Sequence, residues 1–437
     1  MKAETPIARH GTLLRAFGVV FGLAVIVGNT IAAGILRTPG DIAAWLPTPF
    51  LFFGVWIAGA AYALLGAMNL AELGAMLPQS GGQYVFARHA FGRYAGFVIG
   101  WSDWLSLCAS VAAVSIVIGE SVGALVPELA PYRAAVASAG VVAFTILILR
   151  GARESGRAQT ITSLLKAAAL GALVVVCFMH PHADVAPAIP PMHVPLAVGL
   201  ILAIQSVIYS YDGWNGVLYF SEEVRDPGRD IPRSMLGGVL AVATIYLLLN
   251  LAYAWVLTLP GMAGKPFVAA SVAQVVFGSK GFAIVSLLTI LILLSSVNAL
   301  LMMSSRVPVA MSRDGLFPQS AARVDVHGTP VMALVVSAIV SILFILTGAF
   351  DFVLALAAFF FVLNYVVSFS ALFALRRREP NTPRPYHAWG YPWTTALALI
   401  VSVTFLVSAI AADTHHSLWA LGAVALSYPV YRATTQH

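Results

Sequence analysis

NTIAAGILRTPG, residues 29–40, interrupts an apolar run long enough to cross a membrane as a helix. Asn29 and Thr30 bring polar side chains, Ala32, Ala33 and Gly34 remove bulk, and Arg37, Pro39 and Gly40 end the segment. Backbone that leaves its helix inside hydrocarbon strands N–H and C=O groups, each at a cost of several kcal/mol, unless protein, water or ligand supplies partners. The stretch therefore reads as a break built for binding.

The composition around it agrees. Of 437 residues, 60% are hydrophobic and 10% charged, against roughly 25% charged in soluble domains. So little polar surface cannot cover that much apolar volume, which excludes a soluble globule. A spanning helix needs roughly 20 apolar residues. Twelve such runs are legible, at about 14–44, 50–77, 94–126, 132–150, 159–179, 195–223, 234–259, 281–305, 330–348, 351–375, 392–411 and 416–433. They predict an all-α membrane protein forming one transmembrane unit over residues 1–437. Strand-length alternation is missing, which excludes a β-barrel. The polar start, MKAETPIARHGTLLRA, leads into a run too long for a signal peptide, so the first span is expected to stay as an anchor.

With an even number of spans both termini share one face. Nineteen Lys and Arg fall on that face, and four (Arg37, Arg133, Lys265 and Lys280) on the other. The positive-inside rule then places both termini in the cytoplasm, and the compact termini suit a bacterial inner membrane. The basic balance reports topology and implies no nucleic acid. Cys108 and Cys177 fall within spans and read as packing residues, so no disulfide-linked partner subunit is expected.

A second break, SYDGWNG at residues 210–216, interrupts span 6, five spans after the first. An odd offset inverts the second unit, giving repeats over about 14–180 and 195–375 with extra helices over about 391–433. Paired breaks in inverted halves point to a transporter site. Half-helix N-termini offer N–H groups to an anion, and C-termini offer carbonyls to a cation. A free α-amino acid carries both charges and is the predicted substrate.

The N–H groups of Ala33, Gly34 and Ile35 are assigned to its carboxylate, with Thr30, Ile31 and Ala32 completing the first break. Tyr209, Ser210, Asp212, Gly213 and Asn215 form the second, with Trp214 lining or bracing it. A carboxylate at mid-membrane costs roughly 2.5–3.5 kcal/mol. Asp212 either caps the next half-helix or meets the substrate ammonium or a cationic side chain. Lys166, the one lysine inside a predicted span, is too central to snorkel. It reads either as a salt-bridge partner of Glu120 or Asp103, or as a fixed cation where a related transporter would bind sodium. Glu222 and Glu223 are expected to form a charge network with Arg225, Arg229 and Arg233, joined by Glu72. Residues 260–280 are expected to place a short helix over the outer face.

Other motifs are set aside. GESVG, residues 119–123, matches a nucleophile elbow but lies in a predicted helix, without the strand–turn–helix context that Ser121 would need. His180, His182 and His193, like His415 and His416, lack a full set of ligands at metal spacing. No phosphate-binding loop is present, so ATP drive is not expected. No enzyme activity, metal or cofactor is implied.

Four stretches resemble the amino acid–polyamine–organocation superfamily, nearest its L-amino-acid transporter branch. They are VGNTIAAGILRTPG at 27–40, ELGAMLPQSGGQYVFARHAFG at 72–92, IYSYDGWNGVLYFSEEVRDPGRDIPRS at 208–234 and SSVNALLMMSSRVPVAMSRDGLFP at 295–318. The resemblance covers nearly the whole chain. It implies a LeuT-like fold of 12 transmembrane helices with a 5+5 inverted repeat and broken helices 1 and 6. It also implies alternating access with sodium-independent uptake or exchange of amino acids. Gly34 falls on the last glycine of the family's first break, Tyr209 on its aromatic gate and Asn215 on a pocket asparagine. Lys166 lies seven residues after Gln159, as the family's span 5 lysine lies after its glutamine. Ala32 and Ala33 depart from the family's glycine and serine, and Asp212 replaces a glycine of many large-neutral transporters, which hints at cationic substrates. A polyamine carrier of the same fold would need more site acids than Asp212. A non-transporting amino acid receptor would need a signalling tail.

Overall fold

In lipid, a helix is the form in which one apolar segment satisfies its own backbone, and the apolar runs fold accordingly. The computed structural model describes residues 13–435 apart from Pro47, 182–194, 348–349 and Asp413. The first run splits into α1 (Val19–Thr30) and α2 (Gly34–Trp45), bent by 49°. After them stand α3 (Pro49–Met76), the short α4 (Gln83–Phe91), α5 (Arg93–Leu125), α6 (Arg133–Leu149) and α7 (Ala152–Met179). The second broken run is α8 (Leu196–Tyr211) with a 3₁₀ segment, Gly216–Glu223. Next come α9 (Pro227–Leu257), α10 (Leu259–Met262), α11 (Val268–Phe277), α12 (Gly281–Arg313) and α13 (Val331–Thr347). The last three are α14 (Phe350–Arg378), α15 (Trp393–Ala412) and α16 (Thr414–Thr435).

Among the described residues nine helical segments are long and apolar enough to cross a membrane, or ten with the bent α1–α2 pair taken as one span. Two further runs read as spans from the sequence lie outside that count. α13 has only 17 residues, and α16 carries polar residues at both ends. Residues 119–123 lie within α5. His182, His193, Lys2 and Arg9 lie outside the described residues.

The first broken helix sits inside the bundle, and the second lies against it with Leu196, Val198, Ile201 and Ile204 exposed on its outer face. α1 packs on α7, α9 and α12, and α8 packs on α2 and α3. α5 runs beside α12 and α14. α11 realises the short helix anticipated within 260–280, and the loop before it seats on α2. The Gly264 N–H donates to the Gly40 carbonyl at 3.0 Å. A Cβ at Gly40 would lie 2.0 Å from the Lys265 carbonyl oxygen, so the "PG" that closes the opening motif is a place of close backbone approach. α4 carries no spanning signal, being nine residues long with Arg88 and His89 in its last turn.

Candidate functional site

The first break is shorter than its sequence suggests. Asn29 stays in α1, Thr30 is its last residue, and only Ile31–Ala33 leave the helix before Gly34 restarts it. The last carbonyls of a helix have no intrahelical donor, and here side chains from distant helices supply one. The fully buried Lys166 donates through Nζ to the Gly28 carbonyl at 2.8 Å and the Ile31 carbonyl at 2.7 Å. Its Nζ also donates to Ser296 Oγ at 3.3 Å, while Ser296 Oγ donates to the Gly28 carbonyl at 2.8 Å. Lys166 therefore fills the carbonyl end of α1 instead of pairing with Glu120 or Asp103. Asp103 is engaged elsewhere, its Oδ1 accepting from Tyr219 at 2.8 Å and Asn364 at 3.3 Å.

In the second break α8 continues through Tyr211, two residues further than its sequence suggests, and Asp212–Asn215 form the turn. The chain then enters the 3₁₀ segment, a tighter form that recurs at hinges. Gly213 has φ +108°, a backbone region that favours glycine. A Cβ there would also come within 2.7 Å of Asn29 Nδ2. Asn29 Nδ2 in turn donates to the Gly213 carbonyl at 3.3 Å, so the breaks touch. Asp212 follows α8 as its C-cap residue, the 3₁₀ segment being entered from Asn215 without a side-chain cap, and the Tyr365 hydroxyl donates to Asp212 Oδ1 at 2.5 Å. Tyr365 stacks on Trp214, with ring centroids 5.0 Å apart.

One group joins both breaks. The Tyr246 hydroxyl lies 2.8 Å from the Thr30 carbonyl and 2.8 Å from the Ser210 carbonyl. It has a single proton to share between them. A Cβ on Gly34 would stand 2.9 Å from Ser210 Oγ, and Ser210 Oγ donates to Thr38 Oγ1 at 3.3 Å. The first halves of the two broken helices thus end side by side.

Exposure sorts the sequence-selected residues. Ala32, Ala33, Gly34 and Asp212 keep accessible surface, and Tyr209 is 39% exposed. Thr30, Ile31, Ile35, Ser210, Gly213 and Asn215 are buried behind them. The Thr30 hydroxyl is buried with no hydrogen-bond partner among the described residues. Tyr211 turns inward against Trp56 and Tyr246. Tyr246, Tyr365 and Ser296 carry no signal in the sequence, and neither do the contacts that gather Ser163, Ser295 and Asn298 around Gln159 behind α1. In that cluster Asn298 donates to Gln159 at 2.7 Å and Ser163 to the Ala24 carbonyl at 2.7 Å.

At the arginine-rich end the breaks are sealed. Phe17 exchanges backbone hydrogen bonds with the chain after the 3₁₀ segment, donating to Glu223 at 3.0 Å and accepting from Arg225 at 2.9 Å. Phe17, Phe21 and Phe220 cluster beside this pairing. Glu223 accepts two hydrogen bonds from the buried Arg306, at 3.0 and 3.1 Å, and Arg306 lies over the Phe220 ring. Glu222 pairs with Arg313, and Glu72 with Arg376 and Arg384. The expected network with Arg225, Arg229 and Arg233 does not form. Those three come after the turn and point to solvent, whereas Arg306 comes from inside α12, where sequence distance gives no cue. On α4, burial and the adjacent Asp314 carboxylate raise the pKa of Tyr84, so its hydroxyl stays a donor to Asp314 at 2.6 Å.

Residues 12–428 match the amino acid permease family. The chain belongs to that family. It therefore has its place in the amino acid–polyamine–organocation superfamily, as a multi-pass membrane permease rather than an enzyme. The serine/threonine exchanger SteT of Bacillus subtilis is 26% identical over 410 residues, 92% of each chain. The mouse Asc-type amino acid transporter 1 is 27% identical over 411 residues, covering 90% of this permease and 75% of the relative. The human large neutral amino acids transporter small subunit 2 is 27% identical over 394 residues, covering 85% and 72%.

Proposed function

We propose that this permease carries L-amino acids by alternating access around the two abutting breaks, in a twelve-span, LeuT-like 5+5 inverted repeat over the whole chain. The observation that carries the reading is the shared Tyr246 hydroxyl, 2.8 Å from a carbonyl in the last turn of each first half. It supports a single site with backbone poles on two sides. The substrate carboxylate is assigned to the N–H groups of Ala33, Gly34 and Ile35, at the positive end of α2. Its ammonium is assigned to the side of the second break, among Ser210, Asp212 and Gly213, with Tyr209 closing over it and Asn215 behind.

Lys166 serves as the built-in cation of the first break, which supports operation without sodium. The seal at Phe17, Phe220 and Glu223–Arg306 closes the arginine-rich face, which the positive-inside rule makes cytoplasmic. In this reading the protein sits in a bacterial inner membrane with both termini inside, and the structure corresponds to a state closed toward the cytoplasm. The serine/threonine exchanger among the relatives favours serine, threonine and other small neutral amino acids as first candidates, by exchange. Asp212 adds capacity for a cationic side chain. Both cysteines are buried, which supports a carrier that works without a disulfide-linked subunit. A polyamine cargo would need a second accessible acid, and the nearby Asp103 is fully buried and held by Tyr219.

The test is uptake of labelled amino acids into proteoliposomes, with and without internal substrate, under set proton and sodium gradients. Trans-stimulated uptake that ignores sodium supports the reading. No uptake of any of the standard amino acids overturns it.

A further inference from the structure

A cavity of about 760 Å³ opens at the arginine-rich face, between the chain entering α1 and the first turns of α7. Arg15, Arg153, Arg157 and Arg225 line it, and Glu154 is its one carboxylate. Glu154 stands 3.7 Å from Arg157, and both are largely exposed, so that pair neutralises little. Among the described residues no carboxylate lies within ion-pair distance of Arg15, Arg153 or Arg225. Apart from Thr160, the rest of the wall is apolar and includes Phe17, Phe21 and Ile161.

The mouth of the cavity has a direction. Ile161 is 58% exposed and starts an outward stripe on α7 with Leu164 at 63% and Leu165 at 52%. Residues three and four apart share one helix face, and so apolar a face on a membrane helix is turned to lipid. The cavity thus touches the headgroup layer through its guanidinium groups and the hydrocarbon through Ile161. Basic pockets between spanning helices on the cytoplasmic side suit anionic lipid headgroups, and guanidinium forks match phosphate oxygens.

We propose that this cavity binds the phosphate of an anionic phospholipid, with an acyl chain along the Ile161–Leu164–Leu165 stripe. Free phosphate presents the same anion but gains nothing from the stripe. The headgroup lies against the seal, because Phe17 and Phe21 form both the cavity wall and the aromatic cluster with Phe220, and the Arg225 backbone N–H donates to the Phe17 carbonyl. Bound lipid therefore braces the closed end of α1. This goes beyond the transport reading and stands or falls separately.

The test is native mass spectrometry of the intact permease, titrated with phosphatidylglycerol, phosphatidylcholine or inorganic phosphate. One tight phosphatidylglycerol adduct is expected, with phosphatidylcholine at least tenfold weaker. Each interfacial arginine is worth roughly fivefold in affinity. Arg153→Gln/Arg157→Gln/Arg225→Gln together should weaken the adduct on the order of a hundredfold. The exposed pair Arg323→Gln/Arg377→Gln, outside the cavity, should leave it unchanged. If the triple variant does not fold, the single variants Arg153→Gln and Arg225→Gln, each expected to lose about fivefold, replace it. Wild-type phosphatidylglycerol binding in the variants overturns the site. Equal binding of phosphatidylcholine overturns the charge argument, and displacement by millimolar phosphate overturns the assignment to lipid.

Discussion

Replacing Lys166 with Met removes the donor that holds the first break while keeping most of the side-chain volume. Two carbonyls, Gly28 and Ile31, lose a donor at 2.8 and 2.7 Å. An orphaned buried acceptor costs about 1–3 kcal/mol. Ser296 Oγ still donates to the Gly28 carbonyl at 2.8 Å, so that carbonyl keeps a partner and the sum stays near the low end. About 2–3 kcal/mol then falls on this geometry of the break, or roughly thirty- to a hundred-and-fiftyfold in its population. Global stability should move less, because Lys166 is buried without a carboxylate and its loss also removes the cost of desolvating an amine. The assay is exchange of a labelled amino acid in proteoliposomes, paired with thermal unfolding of the purified variant. Exchange should fall by that factor while the unfolding temperature shifts by only a few degrees. Lys166→Met exchanging within threefold of wild type would show that the lysine is packing and that its hydrogen bonds do not shape the site.

Tyr246→Phe deletes the hydroxyl shared by the Thr30 and Ser210 carbonyls, at about 1–3 kcal/mol, and should slow exchange at least fivefold with little change in expression. Asp212→Asn keeps an acceptor for Tyr365 but loses the charge, so it should impair transport severely where Tyr365→Phe impairs it less. Equal losses in the two would assign the effect to the hydrogen bond. Glu223→Gln leaves Arg306 buried without its carboxylate and should destabilise by about 3–5 kcal/mol, read as a lower unfolding temperature, and exchange should become leaky or fail. Gly213→Ala forces a side chain into the +108° backbone and against Asn29, and should abolish transport before it abolishes membrane insertion.

The positions of the breaks were legible because their residues contradict their surroundings. Asn29, Gly34, Asp212 and Gly213 have no reason to interrupt apolar runs unless something repays the lost backbone bonds. Lys166 was legible for the same reason. The partners that repay those bonds were not legible. Tyr246 and Tyr365 are two of 14 tyrosines in a chain rich in aromatics, and only packing shows which hydroxyls meet a carbonyl or a carboxylate. The contact of Asp212 with Tyr365 from α14 spans 153 residues and gives no cue in the sequence. The charge network around Glu223 was misassigned because nearby arginines in sequence stood in for Arg306, 83 residues away. Exposure of Ala32–Gly34 and Tyr209, against burial of Ile31 and Ile35, also depends on neighbours that periodicity does not reveal.

Two adjoining helix breaks that bind the opposite charges of one amino acid must reject a ligand that carries only one of them. Competition against labelled substrate tests it most directly, using the best-transported amino acid, its carboxamide and its deaminated acid. Only the zwitterion should compete at its own transport concentration, each single-charge analogue being at least tenfold weaker. Equal competition by either analogue would contradict it.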